Sequence, residues 1–175
     1  QMANMNEINA IASKHNIRVV ADGAQTIGAR YDGKTPEEFS AMVTYSCFPT
    51  KNLGAAGDAG FIGTDDDALA ARLRMLRVHG APRQYHHELV GMNSRMDELQ
   101  AAVLQVKLRH FPRWQARRVA IASMYNSELR EIPSIQIPVQ DKLASHVWHQ
   151  YTIRVLQGKR DALKAHLAAC GIGSM

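Results

Sequence analysis

Apolar residues recur at Met5, Ile8, Ile11 and Ala12, a helical interval, and Asn4 stands where a side chain can cap a first turn, so residues 4–15 are expected to form a helix. The run Ile17-Arg18-Val19-Val20-Ala21 predicts a short buried strand ending at Asp22, and the small residues Gly23 to Ala29 then turn the chain. Ala41 to Tyr45 and Ala59 to Thr64 read as two more strands. No helical pattern separates them, which predicts an antiparallel return, because a parallel crossover usually needs a helix. Leu69, Leu73 and Leu76 mark one face of a helix opened by Asp65, Asp66 and Asp67, whose carboxylates suit capping and the helix dipole.

A long polar loop runs from Val78-His79-Gly80 to Gly91-Met92-Asn93-Ser94-Arg95, and loops of this size inside compact domains are often functional. A helix is expected from about Met96, with Leu99, Ala102, Val103 and Val106 on its apolar face. Pro112 is expected to interrupt it before a second long helix carrying Trp114, Ile121, Tyr125 and Leu129. Those side chains read as core or subunit-interface packing. Ser134 to Pro138 and Trp148 to Val155 read as strands, and Arg160 to Ala169 as a helix closed by Gly171. Strands alternating with helices indicate an α/β chain, with a smaller α+β unit beginning after the long helices.

Composition narrows the class. With 175 residues, 46% of them hydrophobic, the chain has enough apolar material for one ordinary globular domain. The net charge of +5 comes from 21 basic residues scattered among 16 acidic ones, the densest knot being Arg113, Arg117 and Arg118. Such a balance favours anionic ligands and argues against a nucleic-acid-binding surface. Cys47 and Cys170 are too far apart for a disulfide framework or a zinc signature, which points to a reducing cytoplasm. No segment reads as membrane-spanning or as a signal peptide. Both ends read as cut, so a fragment of something larger is expected.

The chemistry concentrates after the second strand. Ser46 ends that strand, and Lys51 follows five residues later in a loop containing Pro49, Gly54 and Gly57. Lysine is the usual former of a Schiff base with an aldehyde cofactor, and a hydroxyl at a strand end is suited to hold a phosphate. A lysine in a surface loop is more often only a solvated charge, so its neighbours decide. The glycines follow the lysine instead of preceding it, which excludes a nucleotide-triphosphatase phosphate loop. Asp22 also ends a strand, and ligands of open α/β sheets collect beyond such ends, although an aspartate there caps a turn as readily. His86, His87 and Glu88 lack metal-ligand spacing, and no metal site is expected.

Taken together, Asp22-x-x-Gln25, Ser46-x-x-x-x-Lys51-x-Leu53-Gly54, Gly57-Asp58-x-Gly60, His79-Gly80 and Gly91-x-Asn93-x-Arg95-x-Asp97-x-x-Gln100-Ala101-Ala102 resemble the DegT/DnrJ/EryC1/StrS family of pyridoxal-phosphate-dependent sugar aminotransferases. The resemblance runs from about Met5 to the last residues. It implies part of an aspartate-aminotransferase-like (fold type I) large domain over residues 1–110, then an interdomain helix and the start of a small C-terminal domain over 111–175. It implies pyridoxal 5'-phosphate (PLP), with Asp22 at the ring nitrogen, Gln25 near the ring oxygen, Ser46 on the phosphate and Lys51 bonded to the aldehyde.

The resemblance further implies a cytoplasmic homodimer, in which the loop of Asn93 reaches the neighbouring subunit's cofactor phosphate. L-Glutamate is the implied amino donor and a nucleotide-linked keto-sugar the acceptor. Arg95 either meets the sugar or its phosphates or neutralises Asp97 or Glu98. Gly23, Cys47 and Met92 depart mildly from the family pattern. An earlier family segment that supplies a ring-stacking aromatic and further phosphate contacts does not match here. The alternatives are a sugar dehydratase of the same family, whose members replace the lysine by histidine, and a non-catalytic fragment or interaction module retaining the fold.

Overall fold

A computed structural model describes all of residues 1–175. Helix α1 spans Met5–Lys14, and its cap is as expected: Asn4 Oδ1 accepts the Glu7 N–H at 3.3 Å. The same oxygen accepts the Tyr31 hydroxyl at 2.8 Å, which ties the helix start to the buried Tyr31. Four short strands follow: β1 (Val20–Asp22), β2 (Arg30–Tyr31), β3 (Met42–Ser46) and β4 (Gly60–Gly63). β3 lies between β1, which runs parallel to it, and β4, which returns antiparallel as its helix-free connection predicts.

Alternation along β3 sets the two faces of this sheet. Val43 and Tyr45 are buried on one side, where the Tyr45 hydroxyl donates to Glu37 Oε1 at 2.7 Å and its ring stacks on Phe61 at 4.7 Å. Burial, with the bond to Glu37 second, pushes the Tyr45 hydroxyl far above its ordinary pKa. The opposite side, with Thr44 and Ile62, is open. β1 is shorter than expected and is not buried: Ile17 is 62% and Val20 58% exposed, because β1 is an edge strand whose outer side has no partner.

Helix α2 (Asp67–Leu76) starts at Asp66, whose Oδ1 accepts the Ala68 and Leu69 N–H groups, as the acidic triplet predicts. The next helix corrects two expectations. α3 is one helix of 32 residues, Glu98–Leu129, and Pro112 lies inside it. The proline ring is exposed and so is Leu108, whose carbonyl would have received the missing N–H bond, so water satisfies what the helix forgoes. Its apolar face is also not the expected one. Leu99 is 83% and Val106 56% exposed. The sheltered stripe instead runs Gln100, Leu104, Lys107, Phe111, Gln115, Arg118, Ala122, stepping by three or four and mixing polar with apolar residues.

Beyond α3 the chain folds back on its beginning. β5 (Ile135–Gln136) pairs antiparallel with β7 (Arg154–Val155), while β6 (Ala144–Ser145) pairs with β2. The strand expected from Trp148 to Val155 is therefore reduced to its last two residues. Trp148 adopts φ +51°, which breaks an extended run, and its ring stacks on His146 at 3.7 Å. Helix α4 (Arg160–Ala169) ends as expected at Gly171, φ +74°, where Ile172 and Gly171 donate back to Leu167 and Ala168.

Only 21 of the 175 residues are buried, and ten of them form two small clusters, one of six and one of four. One joins Met2, Met5, Ala29 and Tyr31 to Ala144 and Val147; the other joins Cys47, Leu53 and Ala55 to Leu104 of α3. Each links the sheet region to a distant part of the chain.

Two outcomes follow from this packing. Pro112→Ala restores a helical hydrogen bond at an exposed position and is expected to raise the free energy of unfolding by about 1–3 kcal/mol, read as a higher urea midpoint at constant m-value. For His146, burial lowers the pKa from 6.5 to about 4, while Nδ1 accepts the Trp148 N–H. The unfolded chain binds this proton first, so stability falls as pH drops from 6.5 towards 4 and is fully regained above 6.5. His146→Phe is expected to narrow the difference between urea midpoints at pH 7 and pH 4.5.

Candidate functional site

The parallel pairing of β1 and β3 brings two of the expected site residues to one sheet edge. Asp22 is the register partner of Thr44, so it shares a face with Thr44 and with Ser46, two residues further along β3. Strand spacing and rise put the Cα atoms of Asp22 and Ser46 on the order of 8 Å apart. Both have unused hydrogen-bonding capacity. Asp22 Oδ1 accepts the Ala24 N–H at 3.0 Å, leaving Oδ2 free, and Ser46 Oγ accepts the Phe48 N–H at 3.3 Å, leaving its proton to donate. Gln25 is exposed on the turn that follows Asp22.

Lys51 sits on the loop that leaves β3 at this same edge. The loop closes on itself: the Lys51 N–H donates to Phe48 O at 2.8 Å, Ala55 N–H to Cys47 O at 2.7 Å, and Cys47 N–H to Ala59 O at 2.7 Å. Gly60 is where β4 begins against Tyr45, and a Cβ there would lie 2.6 Å from the Tyr45 carbonyl oxygen. Lys51 is half-buried and forms no ion pair.

The loop is shaped from outside by polar side chains of the sheltered α3 stripe. Gln100 Oε1 accepts the Ala56 N–H at 2.8 Å, and Lys107 Nζ donates to the Gly54 carbonyl. Gln100 Nε2 packs so close to Gly57 that a Cβ there would lie 2.9 Å from it. Asn52, itself buried, donates to Val147 O at 2.8 Å and to Gln115 Oε1 at 3.4 Å. Thus the residues on both sides of Lys51 are fixed by backbone and side-chain bonds. Of these supports the sequence motif contained only Gln100. The others could have been found by treating polar residues at helical spacing as part of the buried face.

The 144–151 segment forms a wall beside the lysine loop. Arg118 Nη1 donates to the carbonyls of Trp148 and His149 at 3.0 and 3.5 Å, and Trp148 lies between His146 and Tyr151 in an aromatic stack. Burial first, then the positive charges of Lys51 and Arg118, lower the pKa of His149.

Asn93 and Arg95 lie on the loop between α2 and α3. Their loop is pinned at its base by Met92 N–H to Leu76 O at 2.9 Å, Ser94 N–H to Arg77 O at 2.9 Å, and the bridge of Val78 with Asn93. Gly80, at φ +73°, and Gly91 lie back to back, and a Cβ on either would strike backbone. Arg95 Nε donates to Asn93 Oδ1 at 3.2 Å and forms no ion pair with Asp97 or Glu98. No hydrogen bond connects either residue to Asp22, Ser46 or Lys51. An open groove of about 830 Å³ between α2 and the loop is lined by residues such as Ala71, Met75, Val78 and Leu89. None of the strand-end residues lines it, and its mainly apolar walls offer no reactive pair.

Comparison with known proteins matches this chain to a family. The model of the DegT/DnrJ/EryC1/StrS aminotransferase family matches residues 1–175. A pleiotropic regulatory protein of Geobacillus stearothermophilus is 48% identical over all of this chain and 47% of its own length. A dTDP-3-amino-3,4,6-trideoxy-alpha-D-glucose transaminase of Streptomyces venezuelae is 43% identical over 99% of this chain and 45% of its own. Among solved structures, S. venezuelae DesV in complex with a ketimine intermediate superposes with a TM-score of 0.94 at 43% identity, covering 99% of this chain and 46% of that one. The chain thus spans about half the length of the relatives it matches. On these matches, the chain belongs to the DegT/DnrJ/EryC1/StrS aminotransferase family.

Proposed function

We propose that this chain is the lysine-bearing part of a PLP-dependent aminotransferase that moves an amino group from L-glutamate to a nucleotide-linked keto-sugar. The observation that carries the reading is the unpaired amine of Lys51, on a closed loop at the sheet edge where Asp22 and Ser46 share one face. Family membership supports the reaction class, and the transaminase among its relatives supports a nucleotide-sugar acceptor.

The donor set fits the cofactor. Lys51 offers an amine for an aldehyde, Asp22 Oδ2 a free acceptor for a ring N–H, and Ser46 Oγ a proton for a phosphate oxygen. When bound, PLP supplies an electron sink that stabilises negative charge on the carbon next to the reacting nitrogen. Asp22 keeps the ring nitrogen protonated, because a carboxylate beside a cation favours its charged form. Gln25, on the same turn, would lie near the ring oxygen. Ser46 anchors the phosphate. The Lys51 amine would hold the cofactor's aldehyde, and its Nζ could carry a proton.

Residues 1–110 then form part of the PLP-binding domain, and residues 111–175 an interdomain helix and the start of a smaller domain. Asn93 serves the neighbouring subunit's site across a homodimer interface. Arg95, aligned by Asn93 and unpaired with acids, meets the sugar or its phosphates. The unpaired thiols Cys47 and Cys170 suit a reducing cytoplasm, and no helix is long and apolar enough to cross a membrane. The presence of Lys51 argues against the dehydratase alternative.

Incubation with PLP, borohydride reduction and peptide mapping test the assignment. One phosphopyridoxyl group is expected on Lys51 and none on Lys51→Ala. Asp22→Asn is expected to lower amino transfer from glutamate to a panel of nucleotide-linked keto-sugars by about 100-fold or more. Labelling spread evenly over surface lysines would remove the basis for the proposal.

A further inference from the structure

Lys51 is held from its two sides by different means. Its own N–H donates back to Phe48 O at 2.8 Å, and the next two residues, Asn52 and Leu53, are both buried although they stand in a loop. They reach different parts of the molecule. Leu53 packs with Cys47, Ala55 and Leu104 in the smaller cluster, whereas Asn52 Nδ2 donates to Val147 O at 2.8 Å and to Gln115 Oε1 at 3.4 Å.

Asparagine is a poor choice for this position if filling space is all that it does. Its Oδ1 is buried without a hydrogen-bond partner, and an empty buried acceptor lowers stability, a penalty that leucine of similar volume avoids. The amide acts through its donor half alone. Gln100 and Lys107 hold Ala56 and Gly54, further along the loop, whereas the Cα of Asn52 is one peptide, about 3.8 Å, from that of Lys51. A rotation of the chain at Asn52 therefore passes directly into the direction of the lysine side chain.

We propose that Asn52 is a positioning residue for Lys51: its two donated hydrogen bonds fix the direction from which Nζ meets the cofactor aldehyde, and so set the rate of bonding without adding cofactor affinity. The inference rests on the reading of Lys51 as the covalent carrier. In that step the neutral Nζ forms a double bond to the aldehyde carbon, and its two hydrogens leave with the aldehyde oxygen as water. Misdirection of the attacking amine slows such a step even when both reactants stay bound. Val147 and Gln115, the two acceptors, both lie in residues 111–175, so the aim of the lysine is governed from outside the part of the chain that bears it.

Pyridoxamine phosphate separates aim from affinity, because it carries an amine in place of the aldehyde and cannot bond to Lys51. In Asn52→Leu, borohydride-trapped PLP on Lys51 is expected to form about tenfold more slowly at saturating PLP, while the Kd for pyridoxamine phosphate stays within about threefold of wild type. In the ligand-free protein the Lys51 N–H is expected to exchange with deuterium about tenfold faster in this variant, with no change along β3. Asn52→Asp keeps the size but cannot donate when ionised, and should slow trapping at least as much. Asn52→Gln keeps the donor and should stay within about threefold of wild type. An unchanged trapping rate in Asn52→Leu or Asn52→Asp, unchanged exchange at Lys51, a pyridoxamine phosphate affinity that falls as far as the trapping rate, or equal slowing in Asn52→Leu and Asn52→Gln would overturn the positioning role and leave the carrier intact. Absence of trapping on Lys51 in the wild-type protein would instead refute the carrier.

Discussion

The arrangement around Lys51 depends on one buried amide. Asn52 follows the lysine directly, and its Nδ2 reaches both the Val147 carbonyl and Gln115 of α3, so three separate parts of the chain meet at a single side chain. A loop with only its own backbone bonds would hold Lys51 loosely, since an exposed lysine has much rotamer entropy to lose. Gln100 and Lys107 extend the same grip to Ala56 and Gly54. The sheet supplies the place where Asp22 and Ser46 stand, whereas α3 and the 144–151 wall supply the constraint.

This division accounts for an otherwise odd feature, the mixed character of the α3 stripe. A helix that only filled a core would present leucine and valine along its sheltered face. Here polar residues alternate with Leu104, Phe111 and Ala122, because the partner is a loop whose N–H and C=O groups need satisfying as well as covering. Leu99 and Val106 are meanwhile left facing outwards. The helix is phased by hydrogen bonds to the loop, at the expense of apolar burial.

The same point separates what the sequence disclosed from what it hid. Local signals were readable: the Asn4 cap, the Asp66 cap, the Gly171 terminus and the antiparallel return from β3 to β4 each depend on residues close together in the chain. The Lys51 loop was readable too, as were the strand ends bearing Asp22 and Ser46. The phase of α3 was not, because which of its faces is covered depends on contacts with residues about 50 positions away. Nor was the pairing of β2 with β6, or the turn at Trp148, whose positive φ interrupts an otherwise strand-like run. Pro112 misled for a simpler reason: a proline inside a helix costs one hydrogen bond and can kink the helix without ending it.

Val147 lies 95 positions after Asn52, and Ser145 lies 115 after its partner Arg30. Contacts this remote form late, since the entropy of closing the intervening chain must be met before they contribute. During synthesis the segment around Lys51 therefore leaves the ribosome long before the residues that shape it. The reactive amine is displayed first on an unrestrained stretch of chain, and acquires its setting only when the chain near residue 150 arrives.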